Sequence, residues 1–68
     1  MERLLTLDEA AEELNLTHRY MRRLVSERRI GFVRMGRKIR IPESDLAAFV
    51  EAARVEPFGP KDVWRVAG

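Results

Sequence analysis

The sequence predicts a small, mainly α-helical domain that also contains a β-hairpin. Two short amphipathic helical stretches follow one another almost without a linker, a basic segment of alternating apolar and polar residues comes next, and a third helical stretch begins after a proline. A chain of 68 residues forms one domain, and at this size it buries only about 60 % of the surface that its unfolded form exposes. We therefore expect a thin hydrophobic core.

Composition excludes several classes of site. The chain has no cysteine, so it offers neither disulfides nor a thiolate metal site, and its one histidine cannot build a metal site alone. It has no glycine-rich phosphate loop, and its acids occupy helix N-termini or outer faces, so we expect no catalytic, metal or cofactor site. The N-terminal stretch MERLLTLDEA lacks the apolar run of a signal peptide, and no segment approaches the roughly 18 apolar residues of a membrane span. We expect a cytoplasmic protein that does not bind membranes.

Charge is distributed unevenly along the chain. Residues 1–17 carry one base and five acids (net −4), residues 18–40 carry nine bases and one acid (+8), and residues 41–68 carry three bases and five acids (−2). Concentrated positive charge attracts polyanions. The middle third therefore predicts a nucleic-acid partner, with a merely solvated basic surface as the alternative.

The first helix is predicted from a capping box. Thr6 and Glu9 match the S/T-x-x-E pattern, in which each side chain bonds to the backbone amide of the other residue. The helix should begin at Leu7 and end near Asn15, because asparagine tolerates the left-handed conformation found at helix ends. Its apolar stripe follows i, i+3, i+4, i+7 spacing and consists of Leu7, Ala10, Ala11 and Leu14.

A second helix is predicted from an N-cap at Thr17 to about Arg28. One side of it carries the apolar residues Met21, Leu24 and Val25, and the opposite side is basic. Tyr20 falls at the border between the two sides. Two short helices joined by a tight turn, the second with a basic outer face, match the helix-turn-helix arrangement, in which the second helix enters the major groove of DNA.

The segment FVRMGRKIRIP, residues 32–42, predicts the hairpin, and two registers are possible. A two-residue type II′ loop at Gly36–Arg37 would pair Met35 with Lys38 and leave each face of the hairpin mixed. A three-residue loop, Gly36–Lys38, would pair Met35 with Ile39 instead. We expect this second register, because a slip by one residue would turn the apolar set toward water.

In the expected register each face of the hairpin has one character. Arg34 and Arg40 share the polar face, and the apolar face, which would dock on the helices, consists of Val33, Met35, Ile39 and Ile41.

The third helix is predicted to open at Pro42, with Glu43 and Asp45 favourably placed near its N-terminus. Its apolar stripe is Leu46, Phe49, Val50 and Ala53, and Pro57 ends it. We divide the chain into a domain of residues 1–56 and a tail of residues 57–68. The tail is expected to form a short helix that packs on the core, or alternatively a hook for a partner, through its apolar residues Phe58, Val63, Trp64 and Val66.

The stretches LLTLDEAAEELNLTHRYMRRLVSERRI and VRMGRKIRIPESDLAAFV resemble the excisionase family of small winged helix-turn-helix proteins, distantly related to the DNA-binding domains of MerR-type regulators. The most specific parts are T-x-x-E-A-A near the start and the run V-R-x-G-R-x-I-R-I-P followed by S-D-L. Two features depart from the family: the run Arg28–Phe32 lacks a proline that many relatives have before the wing, and the tail has no family counterpart.

The resemblance implies a winged helix-turn-helix fold and architectural work on DNA. Phage excisionases, also called recombination directionality factors, place the second helix in the major groove and the hairpin wing along the adjacent minor groove. They bend the duplex, bind attachment sites cooperatively beside neighbouring copies, and contact the phage integrase so that recombination runs toward excision in the bacterial host. They are not enzymes.

The candidate DNA-binding residues fall into two groups. Those of the second helix are Thr17, His18, Arg19, Arg22, Arg23 and Ser26. Those of the wing are Arg34, Gly36, Arg37, Lys38 and Arg40. We expect base contacts first from Arg19 and Arg22, because an arginine fork fits the two acceptors of guanine, and phosphate contacts from the wing. Thr17 is expected to serve as an N-cap, although the free amides behind it could also hold a phosphate.

Two other functions compete with the excisionase hypothesis. A small transcriptional regulator of the same fold would bind a single operator beside a promoter. A protein-interaction adaptor would use the basic face against an acidic partner and would not bind DNA in a salt-sensitive way.

Overall fold

The computed structural model describes residues 1–57, which form three helices and three short strands. In chain order the elements are β1 (Leu4–Leu5), α1 (Leu7–Leu14), α2 (His18–Ser26), β2 (Val33–Met35), β3 (Lys38–Pro42) and α3 (Glu43–Ala53). This is the predicted winged helix-turn-helix: α1 and α2 are the helical pair, and β2 and β3 are the wing. The predicted roles of the tail residues Phe58, Val63, Trp64 and Val66 lie outside the described residues, and the boundary near residue 56 stays a prediction.

The helix α1 begins and ends where the sequence predicts. The Glu9 amide donates to Thr6 Oγ1 at 3.0 Å, and the Thr6 amide donates to Glu9 Oε1 at 2.9 Å, which completes the capping box. Asn15 follows the helix in the left-handed conformation with φ 54°. The next amide, that of Leu16, donates to the Ala11 carbonyl at 2.8 Å, as in a Schellman motif.

The helix α2 begins after the predicted cap but ends two residues earlier than predicted. The Tyr20 amide donates to Thr17 Oγ1 at 3.0 Å. The last helical residue is Ser26 rather than Arg28, because Arg28 takes the left-handed conformation at φ 55°. The Arg29 amide then donates to the Leu24 carbonyl at 2.9 Å, the same closing bond as in α1. This turn brings the chain back so that Ile30 is buried.

The hydrophobic core lies between the three helices and the base of the sheet. Leu5, Met21, Leu24 and Ile41 are its largest fully buried side chains. The remaining buried members are Ala10, Ala11, Val25, Ile30 and Leu46. The predicted apolar side of α2 is therefore confirmed.

The strand β1 is an element that the sequence did not predict. It pairs antiparallel with β3 through Leu4↔Pro42 and Leu5↔Ile41, and the sheet has the order β1-β3-β2. A strand of two residues is too short to display a period of two, so only its pairing with β3 reveals it. The pair Leu5–Ile41 seals one side of the core, where both residues are almost fully buried.

The expected three-residue loop of the wing is wrong. The register is Met35↔Lys38, Arg34↔Ile39 and Val33↔Arg40, which leaves a two-residue loop at Gly36–Arg37. Gly36 has φ 63°, and Arg37 is not among the described residues with positive φ. A positive φ at the first loop residue alone is the pattern of a type II′ turn, whose twist matches that of the strands.

The register also changes what the wing buries. Val33 and Met35 are 37 % and 49 % exposed, so they do not dock on the helices as expected. Only Ile39 and Ile41 pack toward the core from this strand pair. A register that separates apolar from polar residues stabilises a hairpin whose apolar face is packed along its whole length. Here the helices cover only the base of the hairpin. The geometry of the turn therefore decides the register.

The helix α3 begins one residue after Pro42, which is the last residue of β3 and also the N-cap. Proline has no side chain that can cap, and the Glu2 carboxylate takes this role instead. It accepts hydrogen bonds from the Ser44 amide at 2.7 Å and the Ser44 hydroxyl at 2.9 Å. The bond from the Ser44 amide lowers the pKa of Glu2.

Candidate nucleic-acid interface

The outer face of α2 gathers the residues that the sequence predicted for the major groove. All of them are exposed, as is the N-cap Thr17. A shallow open groove on this face is lined by His18, Arg19, Arg22, Arg23 and Ser26. The α-helical spacing places these side chains side by side because residues three and four apart are neighbours on a helix surface.

The cations of this face differ in how strongly the protein itself engages them. Arg23 Nε donates to Glu27 Oε2 at 3.0 Å, and Glu27 also accepts from Arg29 at 3.4 Å. The hydrogen bond to Glu27 raises the pKa of Arg23, and the same bond lowers the pKa of Glu27. Within residues 1–57, Arg19 and Arg22 form no ion pair. Arg19 and Arg22 are therefore the most available guanidinium groups of α2.

Two polar residues of α2 have partners that the sequence did not indicate. His18 Nδ1 contacts the Asp8 carboxylate in the first turn of α1, which links the N-terminal ends of the two helices. The Ser26 hydroxyl donates to the Arg23 carbonyl at 3.1 Å, so its oxygen remains free only as an acceptor.

The wing places its cations on two different sides. Cross-strand partners share a face, so Arg34 lies on the face of Ile39, while Lys38 and Arg40 share the opposite face with Met35. The expectation that Arg34 and Arg40 share a face is therefore wrong. Gly36, Arg37 and Lys38 are exposed at the tip, whereas Arg40 is half-buried and its Nη1 donates to the Ile39 carbonyl at 2.9 Å.

A concavity of about 300 Å³ lies between α2 and the wing. Three arginines line it, Arg22 from α2, Arg28 from the turn after α2, and Arg34 from β2. The other lining residues are Leu7, Val25, Ser26, Phe32 and Ile39. Arg28 is a candidate that the sequence analysis missed, because the helix was expected to run to about this residue and no turn toward the wing was predicted there.

Among residues 1–57 no three His, Cys, Asp or Glu side chains cluster so that they could hold a metal ion. None of the helices found there has the length and apolar character needed to cross a membrane.

A short helix pair, a second helix with an exposed arginine face and a cationic hairpin beside it define a helix-turn-helix DNA-binding module. The family model described as "Helix-turn-helix domain" matches residues 4–54, and the chain belongs to that family. Comparisons with curated proteins and with solved structures give no match. The family assignment indicates double-stranded DNA as the partner.

Proposed function

We propose that this protein is a sequence-specific architectural DNA-binding protein of the excisionase type. The observation that carries the DNA-binding part is the pair Arg19 and Arg22 on the outer face of α2, which is exposed and forms no ion pair within residues 1–57. An arginine in the major groove can donate two hydrogen bonds to O6 and N7 of guanine. These two residues read the base sequence.

The remaining candidates position the protein on the duplex. Arg34, Arg37 and Lys38 contact phosphates beside the groove that holds α2, and the wing tip follows the adjacent minor groove. Thr17 stays an N-cap, and the amides behind it lie near a phosphate at the positive end of the helix dipole. Phosphate contacts carry little sequence information, so the wing contributes affinity more than discrimination.

The excision role rests on the family resemblance of the wing and the helix pair. In this role the protein binds and bends attachment-site DNA beside neighbouring copies of itself in the bacterial cytoplasm. It contacts phage integrase and directs it toward excision, and it catalyses no step itself. A module of this size has too little interface for high specificity alone, which favours cooperative binding of several copies.

A small transcriptional regulator of the same fold is the second candidate. It uses the same α2 and wing contacts, and it differs in the number and arrangement of sites. The adaptor hypothesis is weaker, because exposed arginines of α2 and of the wing, Arg22 and Arg34, line one concavity. A helix and a wing that both carry exposed cations favour duplex DNA as the partner.

A gel-shift titration with two DNA fragments tests the proposal. One fragment spans an attachment region from the source genome and the other has random sequence, and each is titrated at two salt concentrations. If about six phosphates are neutralised, log K falls against log salt with a slope of roughly −5. Arg54→Ala is a matched control, because Arg54 pairs with Glu51 and Glu56 after α3. It lines neither the groove on the outer face of α2 nor the concavity between α2 and the wing.

The pattern of shifts separates the candidates. Ladder-like, salt-sensitive shifts on the attachment fragment support the excisionase role. A single discrete shift on a further fragment that carries a promoter, without such a ladder on the attachment fragment, supports a regulator. No shift on either fragment at low salt would refute DNA binding and leave the basic face to an acidic protein.

A further inference from the structure

Two non-glycine residues among those described have a positive φ, and they occupy equivalent places. Asn15 has φ 54° after α1, and Arg28 has φ 55° after α2. In each case the next amide closes the helix by bonding to the carbonyl five residues back, at 2.8 Å in α1 and 2.9 Å in α2. The backbone therefore needs the left-handed conformation at both positions.

Asparagine and arginine differ in how well they adopt the left-handed conformation. In the left-handed conformation Cβ comes too close to the following carbonyl oxygen, which glycine avoids and asparagine tolerates. Arginine has neither advantage. The fold requires the turn, since it directs Ile30 into the core, but it does not require arginine there. A strained residue that the backbone alone would not favour points toward function.

Nothing else in the described protein accounts for the Arg28 side chain. By contrast, Arg29, which is next in sequence, and Arg23 of α2 both bond to Glu27. Arg28 forms no side-chain hydrogen bond or ion pair within residues 1–57. Its side chain instead lines the concavity between α2 and the wing, together with Arg22 and Arg34.

The concavity has the chemistry of a phosphate site. Guanidinium groups donate paired hydrogen bonds that match the oxygens of a phosphate. Its apolar lining residues include Val25, Phe32 and Ile39, and the three arginines around them are exposed, so a phosphate can reach them from solvent. No acidic residue from the described range 1–57 lines it. Arg22 also lies on the outer face of α2, where it is proposed to contact bases. Arg28 and Arg34 are therefore the two arginines of the concavity that remain for a phosphate.

We infer that Arg28 and Arg34 hold one backbone phosphate of duplex DNA in the concavity between α2 and the wing. The left-handed conformation of Arg28 is what brings its side chain to this place. The inference rests on the proposed DNA binding, and it adds a contact at which stability is given up for affinity. Because the contact is to phosphate, it acts on every DNA sequence alike.

The substitution Arg28→Gly tests the inference, because folding and binding should change in opposite directions. Glycine relieves the left-handed strain, and the melting temperature should rise by roughly 4 °C, after allowance for the freedom of glycine in the unfolded chain. Affinity for attachment-region and random DNA should fall by about the same factor, and the salt slope should become shallower by about 1. Arg28→Lys should keep the slope and recover part of the affinity.

Asn15→Gly is the matched control, because it makes the same backbone change at the equivalent position after α1. It should raise the melting temperature by less and leave DNA affinity and salt slope unchanged. If Arg28→Gly binds both DNA fragments with unchanged affinity and slope while wild-type protein binds DNA, the phosphate contact is wrong and DNA binding stands. If it lowers the melting temperature, Arg28 serves the fold and the inference fails. If wild-type protein does not bind either fragment at low salt, both proposals fail.

Discussion

The helices α1 and α2 are built alike and used differently. Each follows a threonine whose hydroxyl accepts from the third helical amide at 3.0 Å. Each packs one apolar side into the same core and ends in a left-handed residue. Their outer faces, however, have opposite charge.

The difference lies in where the charged groups find partners. In α1, Glu9 completes the capping box and also pairs with Arg3 at 3.2 Å. The first turn of α2 has no acidic residue, and Tyr20 stands at the position that Glu9 has in α1. Glu9 of α1 therefore stabilises the N-terminus of its own helix. In α2, where Thr17 occupies only the third amide, the amides of the first two helical residues, His18 and Arg19, and the guanidinium groups of Arg19 and Arg22 stay open to an external anion.

The largest expected effect comes from the core that the two helices share. Leu24→Ala removes a fully buried side chain and should destabilise the domain by about 2–5 kcal/mol, much of what a domain of this size has. Chemical denaturation measures the loss. Val50→Ala, at an apolar residue of α3 that is 48 % exposed, should change stability by at most about 0.5 kcal/mol. Equal stability of the two variants would mean that α1 and α2 do not depend on a common core.

A smaller effect should separate α2 from the wing. Arg22→Ala should reduce discrimination between cognate and random DNA by about 1–3 kcal/mol, whereas Lys38→Ala should weaken binding to both alike. Binding isotherms on both fragments at one salt concentration measure this difference. If the two variants lose affinity in the same pattern, base reading is not confined to α2.

The smallest effect concerns the carboxylates that serve each helix. The hydrogen bond from the Thr6 amide lowers the pKa of Glu9, and the bond from Arg23 lowers that of Glu27. A carboxyl with a lowered pKa stabilises the fold above its unfolded value, roughly 4.3 for glutamate, and this stabilisation is lost as the pH falls through the folded pKa. Thermal melts from neutral pH to pH 3 should show a shallower acid loss in Glu9→Gln, which can still form the capping box, and in Glu27→Gln.

Thermal melts at high salt distinguish the Glu9 site from the Glu27 site. The Glu27 pairs join exposed side chains and should weaken at high ionic strength, whereas the Glu9 bond to a backbone amide should persist. If high salt removes the acid dependence of both sites equally, both carboxylates act mainly through their exposed arginine partners.

Local chemistry is visible in the sequence, and so the sequence predicts much of the domain. Caps at Thr6 and Thr17, the left-handed end at Asn15 and the apolar stripes of the helices depend on residues a few positions apart, and the structure confirms them. The exposed arginine face of α2 follows from the same helical period. By contrast, the predicted register of the wing is wrong. Alternation of apolar and polar residues does not reveal how much of a hairpin packs against the rest of the domain.

By itself, then, the sequence determined the helix pair, its caps and the concentration of positive charge in residues 18–40. Tertiary structure decided the pairing of Leu5 with Ile41, the contact between His18 and Asp8, and the turn that brings Arg28 to the concavity that Arg34 also lines. Each of these depends on segments distant in sequence or on where the chain must go to bury Ile30. The free energy of burying such residues outweighs the local conformational preferences of the residues involved. The spacing of residues within a single segment therefore cannot predict these contacts.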